Sequence, residues 1–329
     1  MTSPRRRAPL VVAGQEVPAG RRSTLELPVG RLVSGSSMAL PVLVLHGRHD
    51  GPTMWLSAAV HGDELCGVEV IRRVIASLEP RTLAGTLIAV PVLNVYGFNT
   101  GDRFLPDRRD LNRSFPGSPR GSLAGRIAHL MMTEVVHRCS IGIDLHTGSD
   151  RRTNLPQVRG DLEDPTVARM ARRFAAPVAL DARTRDGSLR AAATSAGAAV
   201  LLYEGGEAGR FDEDAITAGV HGVLRVMAGE QMIEHAPAPT SRTEVARSSR
   251  WVRASRSGIA HTEVEPGDHV ERGDVLAVLH DPFGKRLSVV RARTAGIVIG
   301  LTRSPLLNRG DAVAHVAEVE TDVAGWAAD

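Results

Sequence analysis

The sequence predicts an α/β region with a mostly parallel sheet, followed by a small all-β region. Three observations predict it. Strand-like and helix-like apolar stretches alternate from about residue 40 to residue 227. The alternation stops at a Pro-rich stretch, His235-Ala-Pro-Ala-Pro-Thr-Ser-Arg242. Beyond it, short apolar runs are punctuated by Gly-Asp at 267–268, 273–274 and 310–311, a turn density typical of all-β folds. The 329 residues therefore divide into 1–235, a linker over 236–250, and a small β-region over 251–329.

Each element has its own signal. Leu40–His46 and Met54–Val60 are apolar runs of strand length, the second apolar on both faces and so a buried strand. Between them, His46-Gly-Arg-His49-Asp50 reads as a hairpin turn rather than as a metal cluster. Leu65, Val68, Ile71, Val74, Ile75 and Leu78 follow helical spacing, which Pro80 ends. Thr86–Leu93 is another buried strand. Residues 97–121 then lose all periodicity and form a long charged loop, and long loops inside folded domains are usually functional or disordered. Ser122 is placed to cap a helix running to about Cys139. Ile141–Leu145 is a short strand, and Asp212 opens a helix running to about Met227.

Composition excludes several classes. With 43% hydrophobic and 23% charged residues, the chain is not disordered throughout. With 3% aromatic residues, base-stacking platforms are scarce and nucleic-acid binding is not expected. Arg5-Arg6-Arg7 reads as a solvated tail. No stretch approaches the roughly 18 apolar residues of a membrane span. Cys66 and Cys139 share no CxxC spacing, which suits a reducing, cytoplasmic setting. There is no G-x-S-x-G elbow, no phosphate loop and no G-x-G-x-x-G after a strand. Lys285 is the single lysine and lies in a late turn, so Schiff-base and Ser–Lys chemistry lack a residue.

Three segments can carry chemistry. In Ala58-Ala-Val-His61-Gly-Asp-Glu64, a buried strand ends in a histidine and a helix begins at a glutamate. Strand ends and helix starts make the active face of α/β sheets. An imidazole and a carboxylate three residues apart can meet at one zinc ion, and a catalytic zinc needs a third protein ligand. His146, in Ile143-Asp-Leu-His-Thr-Gly148, also ends a short apolar strand and is the candidate third ligand. Inside the long loop, Asp110-Leu-Asn-Arg113 sets an amide beside a guanidinium, a pair suited to a carboxylate. Asp110 can orient a metal-bound imidazole, and Arg103, Arg108 and Arg109 add positive charge. In Leu201-Leu-Tyr-Glu204-Gly-Gly-Glu207, Glu204 ends a strand and can serve as a general base, with Glu207 as the fallback.

These motifs in this order resemble the succinylglutamate desuccinylase/aspartoacylase family, the amidohydrolase branch of the zinc-carboxypeptidase fold. The carriers are His61-Gly-Asp-Glu64, Asp110-Leu-Asn-Arg-Ser-Phe-Pro-Gly117, Asp144-Leu-His-Thr-Gly148 and Tyr203-Glu-Gly-Gly-Glu207. The resemblance spans about residues 25–230 and continues into the C-terminal region, where family members often carry a small barrel-sandwich domain. It implies a zinc-carboxypeptidase-like mixed sheet flanked by helices, with the β-domain covering or flanking the active site. It implies one Zn2+ per subunit on His61, Glu64 and His146, with Glu204 as base and proton carrier. Asn112 and Arg113 would hold a substrate carboxylate. Arg103 would polarise the scissile carbonyl, with Arg108 and Arg109 as alternatives, and Asp110 would support the first zinc histidine.

One departure stands out: family members commonly carry a glycine shortly before Asp-Leu-Asn-Arg, where this chain reads Pro106-Asp-Arg-Arg-Asp110. The resemblance thus implies a zinc-dependent deacylase of N-acyl amino acids, acting on a small molecule that bears a carboxylate. A zinc carboxypeptidase for short or glutamate-tailed peptides and a non-catalytic zinc-binding protein are the competing readings. No nucleic-acid or membrane partner is expected, and a homo-oligomer is left open.

Overall fold

Alternation in the apolar runs becomes alternation of strands and helices on both faces of one large sheet. The computed structural model describes residues 7–31, 33–149, 151–240 and 242–320. The chain opens with β1 (Leu10–Val12), β2 (Gln15–Val17), β3 (Arg21–Arg31), β4 (Ser37–His46) and β5 (His49–Ala58). It continues through α1 (Cys66–Ser77), β6 (Ala84–Val90), α2 (Val95–Thr100), α3 (Leu123–Glu134), β7 (Ile141–Gly148) and β8 (Arg152–Gly160). Then come α4 (Pro165–Phe174), β9 (Val178–Asp181), α5 (Leu189–Ser195), β10 (Ala199–Glu207) and α6 (Glu213–Gly229). The C-terminal region supplies β11 (Glu244–Arg253), β12 (Gly258–Thr262), β13 (His269–Val270), β14 (Val275–His280), β15 (Arg286–Arg291), β16 (Gly296–Thr302), β17 (Leu306–Leu307) and β18 (Ala312–Val319).

The sheet runs β13-β16-β18-β11-β9-β8-β10-β7-β5-β6-β4-β3. It is mixed rather than mostly parallel. Parallel pairing holds for β6-β5-β7-β10 and for β8-β9-β11. Every other pairing in it is antiparallel. Parallel neighbours need a crossover on a sheet face, and among the described residues the helices lie between Cys66 and Gly229. The parallel strands are buried on both faces. Met54, Leu56 and Ala58 of β5 point into a core shared with α1, α4 and α6, and Trp55 points into a second core shared with α3 and α5. Ser122 caps α3 by accepting from the Gly125 amide, and Asp212 caps α6 by accepting from Ala215.

Two local expectations are corrected. His46–Asp50 is a turn but not a hairpin, because β6 lies between β4 and β5 and pairs with both. Gly47 allows this by donating to the Gly85 carbonyl at 2.9 Å, where a β-carbon would collide with the Leu83 and Gly85 backbone. The loop after residue 97 is shorter than expected, because α2 occupies Val95–Thr100, capped by Asn94 and closed by left-handed Gly101. Six residues are too few to show a helical period.

In the C-terminal region, β12, β14, β15 and β17 form a separate four-stranded sheet. The Gly-Asp turns share one geometry. Gly267, Gly273 and Gly310 have positive φ, and the carboxylates of Asp268, Asp274 and Asp311 accept from the amides of Glu265, Glu271 and Asn308. Strand β11 starts at Glu244, within the stretch read as linker. It pairs with β9 and β18, β18 pairs with β16, and β16 returns to β8, which itself pairs with β9. These five strands close a barrel around Val178, Leu180, Ala246, Ile297, Ile299 and Ala317. Arg5, Arg6, Ser241 and residues 321–329 lie outside the described residues. No described helix is long and apolar enough to cross a membrane.

Candidate active site

The adjacent parallel strands β5, β7 and β10 end on the same side of the sheet, and their ends carry the site. Ala58 pairs with Leu145, and Glu204 pairs with His146. His61 follows β5 by one turn, in which the Glu64 amide donates to the His61 carbonyl. Gly62 in that turn lies against the Gly97–Phe98 backbone of α2, so no side chain fits there. Ala59 just before it adopts a left-handed φ of 46°, a strained conformation for a residue with a β-carbon.

His61, Glu64 and His146 converge. One ligand atom from each lies within 4.8 Å of the others, and all three side chains are buried. Both imidazoles turn Nδ1 inward: His61 Nδ1 is 2.6 Å from Glu64 Oε1 and His146 Nδ1 is 2.8 Å from Glu64 Oε2. Their outer nitrogens meet carboxylates. His61 Nε2 is 3.3 Å from Asp110 Oδ1, and His146 Nε2 is 2.8 Å from Asp144 Oδ2. Asp144 is held in turn by the Ser57 hydroxyl at 2.7 Å. A carboxylate behind each imidazole is the arrangement that orients metal-ligating histidines. Two nitrogens and a carboxylate are also a donor set that fits zinc.

The charges are strongly coupled. Burial would raise the Glu64 carboxyl, but His61 and His146 outweigh it and hold Glu64 well below the usual carboxylate range. Burial would lower both imidazoles. Glu64 and Asp110 more than reverse this at His61, and Asp144 and Glu64 do so at His146. Asp110, although partly buried, is held low by His61 first and then by Arg103.

These residues floor one end of a cleft of about 430 Å³. Arg103 reaches it, with Nη1 donating to Glu64 Oε1 at 3.3 Å and Nη2 to Asp110 Oδ2 at 3.4 Å. Asn112 and Arg113 line it too, with Asn112 Oδ1 accepting from the Leu189 amide at the start of α5. Glu204 lines it as well, and its Oε2 accepts from Asn154 Nδ2 at 2.7 Å. Arg108 and Arg109 do not line the cleft. Arg108 turns outward to Asp102 and the Phe104 ring, and Arg109 pairs with Asp107. Glu207 is likewise engaged elsewhere, by Arg210.

The model of the succinylglutamate desuccinylase/aspartoacylase catalytic domain matches residues 50–229, more than half of the chain. The protein belongs to this family. The N-alpha-acetyl-L-2,4-diaminobutyric acid deacetylase of Halomonas elongata is 28% identical over 310 residues, 90% of each chain. A succinylglutamate desuccinylase/aspartoacylase structure from Rhodobacter sphaeroides matches with a TM-score of 0.81 at 28% identity, covering 92% of this chain and 98% of that one. The product-bound ectoine utilization protein of Ruegeria pomeroyi shares the fold, with a TM-score of 0.83 at 24% identity over 94% and 99% of the chains. Relatives in this family are deacylating enzymes.

In this family member, several cleft residues escape a reading of motifs. Asp144, quoted above only as the first residue of a motif, stands two residues before His146 on one strand, so both point to the same face, and it backs His146 from beneath the cleft lining. Asn154 and Arg159 lie on β8, whose sequence Arg-Thr-Asn-Leu-Pro-Gln-Val-Arg-Gly does not alternate cleanly. Ser249, Arg250, Trp251 and His315 come from β11 and β18, far along the chain. Trp251 and His315 stack with ring centroids 4.6 Å apart, and Arg152 lies over the Trp251 ring.

Proposed function

We propose that this protein is a zinc-dependent deacylase that hydrolyses the amide bond of an N-acyl amino acid. The observation that carries the reading is the convergence of His61 Nδ1, Glu64 and His146 Nδ1 in a cleft that Glu204, the register neighbour of His146 on the adjacent strand, also lines. Zinc on those three ligands would supply a water acidified toward a pKa of about 7 and polarise the scissile carbonyl. Glu204 takes the proton from the attacking water and delivers it to the leaving amine. Arg103, beside Glu64, donates to the oxygen on which negative charge develops. Asn112 spends its carbonyl on Leu189, which leaves its NH2 and the Arg113 guanidinium to hold the substrate carboxylate.

The cleft also argues for a small, acidic substrate. Strands β11 and β18 wall it with Trp251 and His315, and its volume suits a single acyl amino acid better than a peptide. Its described lining holds eight arginines against two glutamates, both of which are already paired. A second anionic group on the acyl or amino-acid part would be welcomed there, and the ammonium of a diaminobutyrate would not. Like charges in a closed site cost several kcal/mol, so acidic N-acyl amino acids should exceed N-acetyl-diaminobutyrate in kcat/KM by about tenfold or more. Amine release from such a panel measures this, and a preference for the cationic substrate would reverse the assignment.

The test of the mechanism is Glu204→Gln. Bound zinc should stay stoichiometric while kcat falls by about 10²–10⁴. Full activity would remove Glu204 as the base. His61→Ala should instead lose the metal, read by elemental analysis.

A further inference from the structure

We infer, resting on the assignment of Glu204 as the base, that Asn154 is its positioning residue and that strand β16 of the C-terminal region holds Asn154 in place. The two carboxylate oxygens of Glu204 are treated differently. Oε2 is tied to Asn154 Nδ2 at 2.7 Å. Among the described residues, Oε1 faces the Arg159 Nη1 at 3.7 Å, beyond hydrogen-bond reach. One oxygen is therefore anchored, and the other is left to exchange a proton within the field of a cation.

The anchor is itself braced from outside the cleft. Asn154 is 8% exposed and stands between two glycines on neighbouring strands, Gly206 of β10 and Gly300 of β16. A register shift in β10 between Glu204 and Gly206 lets the Glu204 carboxylate reach Asn154. At Gly300, a β-carbon would stand 2.8 Å from Asn154 Oδ1. The absence of a side chain there seats the amide oxygen against β16 and leaves the amide nitrogen aimed at Glu204. A second arm runs from the same strand. The Ile299 carbonyl accepts from fully buried Gln157 Nε2 at 2.9 Å, and Gln157 Oε1 accepts from Arg159 Nε at 3.3 Å. Both groups facing Glu204 are thus set by consecutive residues of β16.

Zinc-loaded Asn154→Ala, Asn154→Asp and Gly300→Ala would be compared with wild type and Glu204→Gln on N-acyl amino acids, with crystal structures of wild type and Asn154→Ala. A misplacement of about 1 Å in a reacting group can cost about 10²-fold, so kcat should fall by about 10–100-fold in both Asn154 variants. KM should stay within about twofold and zinc content should not change. Gly300→Ala, which keeps the amide but displaces it, should lower kcat in the same direction. In the Asn154→Ala crystal, the Glu204 carboxylate should leave its wild-type position. A carboxylate that stays in place, or kcat that stays near wild type while Glu204→Gln is inactive, overturns the positioning role. If wild type turns over nothing, the deacylase reading falls, and the crystal comparison alone decides the positioning. If the Asn154 variants do not fold, Gly300→Ala decides it in the same way.

Discussion

Glu64 is shared by two imidazoles and a guanidinium, and the charge of the whole cluster hinges on it. Without metal, the low Glu64 and the raised His61 and His146 describe a carboxylate paired with protonated imidazoles. That pairing contributes fully between the ordinary carboxyl value of 4.5 and the ordinary imidazole value of 6.5. It is lost as pH falls through the depressed Glu64 or rises through the raised histidines. A metal must displace those protons, so zinc binding should release protons and tighten as pH rises. Calorimetry in two buffers of different ionisation enthalpy measures the release; binding without it would contradict the charge state. His315 behaves oppositely. Burial, and then Arg159, Arg185 and Arg152, push its imidazole down to about 3. Between about 3 and 6.5 the unfolded chain binds the proton and the folded one does not, so stability declines as pH drops through that window. His315→Phe should flatten this part of the stability–pH curve, as read by chemical denaturation.

Among the elements, those with a complete local signal were legible and those defined by partners were not. The run Met54–Val60 announced a doubly buried strand because both of its faces are apolar, and β5 is that strand. Ser122 announced a helix start because its hydroxyl satisfies a backbone donor, and it caps α3. Ser122→Ala should cost about 1 kcal/mol in denaturant unfolding and leave kcat unchanged. That His61, Glu64, His146 and Glu204 would line one cleft was legible because strand ends and helix starts leave their marks within a few residues. Asn154 was not found, because its meaning depends on Glu204 across one strand and Gly300 across another. The same limit explains β4 and β5. A turn of this length looks like a hairpin, and only the later arrival of β6 between the two strands shows otherwise. Arg108 and Arg109 could not be told from Arg103 by type; the direction of the loop backbone separates them.

At the scale of the whole molecule, the barrel joins what the sequence divides. Two of its strands, β8 and β9, come from the α/β region, and three, β11, β16 and β18, come from beyond the Pro-rich stretch. The two regions should therefore unfold together, in one calorimetric transition whose van't Hoff and calorimetric enthalpies agree. Two separated transitions would show that the barrel does not couple them. Residues 50–229, which match the family's catalytic domain, contain all three residues of the candidate metal site, His61, Glu64 and His146, yet only two of the five barrel strands. For anyone exchanging parts between relatives, that stretch is not a transplantable unit. Moved alone, it would carry its chemistry into a ring whose other staves were cut for a different neighbour.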